Sequence, residues 1–205
     1  MTEVKGPRFS LGITGGIGSG KTSVCRVFGV LGIPVFSADR VARMIMESDE
    51  RIMQGINSIA GRNLYVNGIL DRMTLASIIF NNKELLEKVD SLVHPAVFDN
   101  FMKWIPLQTG RYVIMEAAIM FESGASKFVD RIATIIAPLE ERIERIIERN
   151  KLTREQIAER INNQMDDAER IRLSDYVIDN SENKMIIPAI INIHNEILTI
   201  INNRI

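Results

Sequence analysis

The sequence has few of the residues that stabilise secreted proteins covalently. It contains one cysteine, Cys25, in 205 residues. A single cysteine excludes an intrachain disulfide, so we expect a reducing compartment. Cys25 falls in a predicted helix, where we expect it to pack in the core, and a redox role is the alternative.

Long apolar runs are also missing. The longest candidate, YVIMEAAIMFE, is interrupted by Glu116 and is shorter than the roughly 18 residues that a membrane span requires. The polar start, MTEVKGPRFS, lacks the apolar block of a secretory signal peptide. We therefore expect a soluble, cytoplasmic protein with no membrane partner.

Neither sign of charge is in excess. The 25 basic and 26 acidic residues give a formal net charge of −1, which argues against a non-specific nucleic-acid binder. A content of 46% hydrophobic and 25% charged residues is typical of an ordinary globular protein. The sequence leaves the oligomeric state open, and we expect a monomer or a weak homo-oligomer.

Five short apolar segments alternate with helical patterns along the chain. The predicted strands are 8–14, 33–37, 111–116, 131–137 and 175–179. Strands that are apolar throughout and flanked by helices are typical of a parallel sheet covered on both faces. The sequence therefore predicts an α/β fold with a parallel five-stranded sheet.

Two helical stretches interrupt this alternation. Residues 41–105 show helical patterns and no convincing strand, and Pro95 predicts a kink or a boundary inside the second of these patterns. A segment of this length is too long for a simple crossover, so it predicts an inserted helical subdomain. Residues 139–167 form a second, highly charged helical excursion. We assign the domain that carries the parallel sheet to the remaining segments, 1–40, 106–138 and 168–205.

Glycines are concentrated near the N-terminus. Residues 15–22 read G-G-I-G-S-G-K-T, which fits the phosphate-loop pattern G-x-x-x-x-G-K-[ST] between a predicted strand and a predicted helix. A chain that curls around an anion offers it several backbone N–H donors, and glycines permit the curl. Lys21 adds a charge for the terminal phosphates, and the Thr22 hydroxyl is an oxygen ligand for Mg²⁺. The predicted nucleotide-binding residues are Gly15, Gly16, Ile17, Gly18, Ser19, Gly20, Lys21 and Thr22.

The loop alone does not name a reaction, because motors, GTPases and small-molecule kinases share it. The guanine-binding pattern N-K-x-D is not matched, since the nearest string, at 150–153, has Thr153 in place of the aspartate. An LSGGQ-like stretch is absent as well. The short chain and the helical insert favour a kinase for a small acceptor. A glycine-rich turn with an incidental lysine is the alternative.

Two carboxylates follow predicted strands. Asp39 lies just past the second strand, at the edge where open parallel sheets bind ligands. It is a candidate base for an attacking hydroxyl, and the alternative is an N-cap of the next helix. Glu116 ends the third strand and is a candidate for organising magnesium, often through water. The alternative for Glu116 is a buried acid paired with Lys21 or an arginine.

Several segments together resemble the dephospho-coenzyme A kinase family. The matching segments are Gly12 to Thr22, SADRVAR (37–43), NGILDRMTLASIIF (67–80), His94 with Pro95, RIIERN (145–150), RINNQM (160–165) and DYVIDN (175–180). The resemblance extends over about residues 9–182 and is far more specific than the loop alone. Two departures affect local substrate geometry. Ser37 replaces the first aspartate of D-A-D, and AIMFE (118–122) replaces P-L-L-[FV]-E with Glu122 kept.

The resemblance implies transfer of the γ-phosphate of ATP to the ribose 3′-hydroxyl of dephospho-coenzyme A, with Mg²⁺ as the metal. It implies that Asp39 is the base and that the insert, 41–105, holds the acceptor. The candidate acceptor-binding residues in the matching blocks are Arg43, Arg72 and His94. A salt bridge is the alternative role for Arg72, and a helix-surface or capping position is the alternative for His94. The rival functions are a kinase for another small alcohol and a nucleotide sensor without turnover.

The first helix of the charged excursion carries a stripe of arginines. At about 100° per residue, Arg142, Arg145 and Arg149 share one face. One interpretation is a solvated helix with ion pairs such as Glu141 to Arg145. In the family this excursion serves as a lid, which excludes water and brings arginine to the phosphate oxygens. Arg145 and Arg149 are therefore the candidate catalytic arginines. Weaker candidates are Arg154 and Arg160.

Overall fold

The structure is a computed structural model that describes residues 9–79, 82–150, 153–162 and 164–204. The chain divides into two compact units. The larger unit comprises Met1–Ser37 and Trp104–Ile205, and the smaller unit comprises Ala38–Lys103. In chain order the elements are β1 (Ser10–Thr14), α1 (Lys21–Val30), β2 (Val35–Ser37), α2 (Ala38–Ser48), α3 (Glu50–Ala60), β3 (Tyr65–Val66), β4 (Ile69–Leu70), α4 (Arg72–Ile79), α5 (Lys83–Trp104), β5 (Val113–Glu116), β6 (Arg131–Ile136), α6 (Leu139–Asn150), α7 (Arg154–Asn162), α8 (Asp167–Leu173), β7 (Tyr176–Asp179) and α9 (Ile186–Asn203).

The larger unit is built on a five-stranded sheet in the order β2-β5-β1-β6-β7. Every neighbouring pair is parallel, so the predicted α/β fold and the five predicted strands are confirmed. All five residues of β1 are buried, because this central strand is covered on both faces. In the register, Glu116 lies opposite both Ile13 and Ser37. The carboxyl ends of β1, β2 and β5 therefore meet at one edge, where a ligand site is expected.

Helices α1 and α9 supply much of the core of the larger unit. Cys25 and Phe28 of α1 belong to the same apolar cluster as Ile190 and Ile193 of α9. The Cys25 side chain is only 5% exposed, and its burial raises the pKa of the thiol strongly. A neutral, buried thiol is a weak nucleophile, so the packing role of Cys25 is confirmed and the redox alternative is not favoured.

In the smaller unit, a hairpin occupies a segment where no strand was predicted. β3 and β4 pair antiparallel around Asn67 and Gly68, whose φ angles are 51° and 79°. Positive φ at both central positions is the conformation that Asn-Gly turns supply to hairpins. Strands of two residues carry no hydrophobic period, so this dipeptide was the available sequence signal.

Pro95 lies inside α5, which runs from Lys83 to Trp104 without ending there. The predicted boundary at this proline is therefore wrong. Val89 and Val93 before the proline and Val97 after it are buried at four-residue spacing. Because one packed face extends past Pro95 in both directions, burial along that face offsets the hydrogen bond that the proline cannot donate. None of the described helices combines the length and the apolar character that a membrane span requires.

Candidate active site

The glycine-rich loop connects β1 directly to α1. Gly20 precedes the first residue of α1 and has a φ of 97°, a conformation that favours glycine. The Gly20 carbonyl oxygen accepts from the N–H groups of Ser23 at 3.0 Å and Val24 at 3.2 Å, so α1 begins immediately after the loop. A helix N-terminus at this position favours an anion placed at the loop. The loop is thus preceded by a strand and followed by a helix, as the phosphate-loop prediction requires.

Two glycines of the loop are also required by the packing of α6. A Cβ atom at Gly16 would lie 2.1 Å from Nη2 of Arg142, and one at Gly18 would lie 2.6 Å from the Arg142 carbonyl oxygen. Neither distance is compatible with a side chain. The loop therefore has glycines both to curl around an anion and to let Arg142 approach its main chain.

The Lys21 side chain folds back over the loop. Its Nζ atom donates to the carbonyl oxygens of Gly15 at 2.8 Å and Gly16 at 3.3 Å. These two bonds hold the ammonium group against the first residues of the loop. A positive charge at this point complements the negative oxygens of a bound polyphosphate.

The two predicted magnesium-site residues are in direct contact. The Thr22 hydroxyl donates to Oε1 of Glu116 at 3.1 Å, and Glu116 is the half-buried last residue of β5. A hydroxyl and a carboxylate are the hard oxygen donors that Mg²⁺ prefers, so these residues fit the metal. Within the described ranges, no cluster of three or more His, Cys, Asp or Glu side chains could hold an ion. The metal roles of Thr22 and Glu116 stay predictions.

Arg142 makes a contact with the loop that the sequence did not predict. The residue is 4% exposed, and its Nε donates to the carbonyl oxygen of Ile17 at 2.9 Å. Its Nη1 donates to Oδ2 of Asp167 at 2.7 Å. Burial lowers the pKa of the Arg142 guanidinium, and the Asp167 carboxylate acts in the opposite direction. Helical periodicity placed Arg142 on the same stripe as two other arginines, and this pattern does not distinguish a buried member from a solvated one.

The catalytic roles of Arg145 and Arg149 stay predictions. Nη2 of Arg145 donates to Oε2 of Glu141 and to the carbonyl oxygen of Asn180, both at 2.9 Å. The ion pair between Glu141 and Arg145 that the spacing suggested is therefore present. The side chain of Arg149, on the last turn of α6, lies outside the described residues.

Asp39 is the second residue of α2 and is exposed. The N-cap interpretation is wrong, because α2 already begins at Ala38. The side chain is placed in the first turn, two positions beyond the end of β2 along the chain. Its role as a base is not tested by this geometry and stays a prediction.

The three candidate acceptor residues all lie in the smaller unit. Arg43 is exposed on α2, and Arg72 begins α4 with its Nη2 2.9 Å from Oε1 of Glu47. His94 lies in the interior of α5, with its Nε2 3.5 Å from Oδ1 of Asp90. The contact of Arg72 with Glu47 agrees with the salt-bridge alternative for Arg72. The contact of His94 with Asp90 on the same helix agrees with the helix-surface alternative for His94. Acceptor binding by Arg43, Arg72 and His94 stays a prediction.

The parallel sheet, the loop between its central strand and a helix, and the lysine folded onto that loop define a phosphate-loop nucleotide-binding protein. The family model described as Dephospho-CoA kinase matches residues 9–185. The chain belongs to this family, and the resemblance found in the sequence is confirmed. The dephospho-CoA kinase of Fusobacterium nucleatum is 37% identical over 173 residues, which cover 84% of this chain and 90% of the relative.

Solved structures give the same result. A crystal structure of a Thermus thermophilus protein superposes with a TM-score of 0.77 at 31% identity, covering 87% of this chain and 91% of that chain. The structure of a dephospho-CoA kinase from Campylobacter jejuni gives a TM-score of 0.66 at 25% identity and covers 92% and 96% of the two chains. These similarities extend through both compact units, so they are not limited to the phosphate loop.

Proposed function

We propose that this protein transfers the γ-phosphate of ATP to the ribose 3′-hydroxyl of dephospho-coenzyme A. The products are coenzyme A and ADP, and the reaction is the last step of coenzyme A synthesis. The proposal depends above all on one observation, the phosphate loop with Lys21 folded onto it in a chain of the dephospho-CoA kinase family.

The loop and Lys21 bind the β- and γ-phosphates in this proposal. The remaining donors are backbone N–H groups of the loop and of the first turn of α1. The N–H groups of Ile17, which donates to Gln164, and of Ser19, which donates to the Gly16 carbonyl oxygen, are not among them. Lys21 is held at the loop by Gly15 and Gly16, so its charge is positioned before the nucleotide arrives. Positive charge fixed in advance stabilises the transferring phosphoryl group without reorganisation.

Thr22 and Glu116 are the residues that would hold Mg²⁺. Because the Thr22 hydroxyl donates its hydrogen bond to Glu116, the lone pairs of its oxygen can serve as a metal ligand. Glu116 orients this hydroxyl and adds a negative charge near the site. When bound, the ion neutralises charge that develops on the phosphate oxygens.

Asp39 accepts the proton of the attacking 3′-hydroxyl. A carboxylate positioned within hydrogen-bond reach of the nucleophile serves this purpose in kinases.

Arg43, Arg72 and His94 of the smaller unit contact the acceptor, whose diphosphate suits the donors of arginine. Residues 139–167 act as a lid in which Arg145 and Arg149 neutralise charge on the transferring group and water is excluded.

An acceptor assay tests the function. The purified protein is incubated with labelled ATP, Mg²⁺ and a panel containing dephospho-coenzyme A, nucleosides and sugar acids, and the products are separated chromatographically. We expect phosphorylation of dephospho-coenzyme A at the 3′ position. Lys21→Met should lower the rate by at least about 10²-fold, the effect of losing one transition-state donor.

Other outcomes of this assay contradict the proposal. Phosphorylation of a nucleoside or a sugar acid, with dephospho-coenzyme A left unchanged, would identify a kinase for another small alcohol. Binding of ATP without turnover of any acceptor would identify a nucleotide sensor.

We further expect a cytoplasmic monomer or weak homo-oligomer that binds neither nucleic acid nor membrane.

A further inference from the structure

The peptide groups on both sides of Ile17 are held by side chains from distant parts of the chain. The Ile17 N–H donates to Oε1 of Gln164 at 2.8 Å. The Ile17 carbonyl oxygen accepts from Nε of Arg142 at 2.9 Å. Gln164 follows α7, and Arg142 lies on α6, so two separate segments bond to one residue of the phosphate loop.

The side chain of Arg142 is itself held in place. The Asp167 carboxylate accepts from Nη1 of Arg142 at 2.7 Å through one oxygen and from Nη1 of Arg170 at 2.6 Å through the other. Arg142 and Arg170 are 4% and 1% exposed. Buried guanidinium groups that share one carboxylate have few alternative positions, because leaving it would strand a charge away from water.

The turn that carries Gln164 is fixed as well. The N–H of Met165, its neighbour in the chain, donates to Oε1 of Glu122 at 3.2 Å. The same Glu122 oxygen lies 3.9 Å from Nη2 of the buried Arg170. Arg170 is therefore connected to Arg142 through Asp167 and to the main chain next to Gln164 through Glu122.

A loop composed mainly of glycine has few side chains that could restrict its own conformation. Contacts from outside the loop are then needed to hold its N–H groups in one arrangement. Two hydrogen bonds to Ile17, one to its N–H and one to its carbonyl oxygen, restrict rotation on both sides of this residue. A loop held in its binding conformation loses less entropy when the ligand binds.

We propose that Arg142 and Gln164 are positioning residues that fix the conformation of Ile17 and thereby shape the phosphate loop before ATP binds. This inference rests on the proposed function, in which the loop is the ATP site. The two side chains act through the main chain of Ile17. Their loss therefore weakens binding of the ground state and the transition state alike, which raises the KM for ATP more than it lowers kcat.

The test uses Gln164→Met and Arg142→Met in the full-length protein. The Kd for ATP with Mg²⁺ is measured by calorimetry without any acceptor, and steady-state kinetics supply KM and kcat. Loss of the hydrogen bond to Ile17 should weaken ATP binding by about threefold to tenfold in each variant. Hydrogen exchange of the Ile17 amide in the ligand-free protein should become faster in Gln164→Met, because its acceptor is lost.

Two matched controls separate positioning from general destabilisation. Arg172→Met removes an exposed arginine that pairs with Glu169 inside α8, and it should change the Kd for ATP by less than about twofold. Gln108→Met removes a side-chain amide that bonds to the main chain of Trp104 and should behave in the same way. The double variant of Arg142 and Gln164 should lose less affinity than the product of the two single losses, because both act on Ile17.

An unchanged Kd for ATP in Gln164→Met would overturn the inference. Faster exchange spread evenly over the whole protein would also overturn it, since that result indicates a purely structural role. Arg142→Met can unfold because it leaves Asp167 without one partner, and Gln164→Met then decides alone. If the wild type binds ATP but does not phosphorylate dephospho-coenzyme A, the proposed function fails while the binding test remains valid.

Discussion

The hydroxyl of Thr22 donates a hydrogen bond of 3.1 Å to the carboxylate of Glu116 across 94 positions of the chain. The bond joins the first turn of α1 to the carboxyl end of β5. It therefore links the helix that follows the phosphate loop to the strand beside β1. Because the hydroxyl hydrogen is directed at Glu116, the bond also fixes the direction in which the lone pairs of the Thr22 oxygen face a metal.

Removing the Thr22 hydroxyl should weaken the binding of Mg²⁺ at the active site. Thr22→Val loses the oxygen ligand, whereas Thr22→Ser keeps it and serves as the matched control. We expect Thr22→Val to need about tenfold more free Mg²⁺ for half-maximal rate, and Glu116→Gln to show a shift in the same direction. Initial rates against free Mg²⁺ at saturating ATP measure this. Equal magnesium dependence in Thr22→Val and Thr22→Ser would favour a purely structural role for the Glu116 contact.

Replacing Asp39 by asparagine should slow the chemical step without affecting nucleotide binding. Asn is nearly isosteric but does not accept the proton, so Asp39→Asn should lower kcat by roughly 10²–10⁴. The Kd for ATP should stay unchanged. Glu50→Gln, at the exposed first position of α3, is the control for loss of one helix-terminal carboxylate. A variant with lower thermal stability and normal kcat would show that Asp39 only favours the helix terminus.

The strands of the sheet were predictable because a buried parallel strand is apolar along its whole length. β1 and β5 are of this kind, and their sequence runs lie close to the observed bounds. The hairpin at Asn67 was missed because two-residue strands show no alternation. The predicted helix boundary at Pro95 was wrong because α5 continues through the proline. Packing of the helix on both sides of Pro95 outweighs the one missing hydrogen bond.

The loop of the site was predictable from local sequence, and its supporting contacts were not. Lys21 and Thr22 belong to a motif in which spacing alone conveys the chemistry. Arg142 and Gln164 reach Ile17 over 125 and 147 positions. Gln164 occurs in a family-matching block, yet nothing in that block indicates which main-chain group it contacts. Contacts at such separations depend on the complete fold.

Arg72 can be tested through its ion-pair partner. The Arg72–Glu47 pair is partly exposed, with side chains 40% and 33% accessible, so the pair itself should contribute at most about 1 kcal/mol to stability. If Arg72 binds the acceptor, Arg72→Met should raise the KM for dephospho-coenzyme A by about tenfold or more, because a charged hydrogen bond is lost. Glu47→Gln should leave that KM nearly unchanged. Equal effects of both variants would support the salt-bridge alternative, and the KM for ATP is the internal control.

Gly29 is a position where an added methyl group should stabilise the protein. It lies in α1, and a Cβ atom there would have no neighbour within 4 Å. Ala loses less conformational freedom than Gly in a helix, so Gly29→Ala should raise the free energy of unfolding by about 0.5–1 kcal/mol. Gly16→Ala is the contrasting variant, because its Cβ would lie 2.6 Å from Cζ of the buried Arg142. Urea unfolding measures both, and destabilisation by Gly29→Ala would contradict the prediction.

His194 should make the stability of the core depend on pH. The Tyr112 hydroxyl lies 3.0 Å from Nδ1 of His194, and this nitrogen accepts a hydrogen bond from the hydroxyl in the neutral tautomer that carries its proton on Nε2. Burial lowers the pKa of His194 below its ordinary value of 6.5, so the unfolded chain binds a proton at this residue more readily than the folded chain. The contribution of His194 to stability is therefore complete above the ordinary pKa and is lost as the pH falls below it. Urea unfolding at pH 7.5 and at pH 5 should show a smaller loss on acidification in His194→Gln than in the wild type. The carboxylates titrate in both proteins, so an identical loss in the two would exclude His194 as the source.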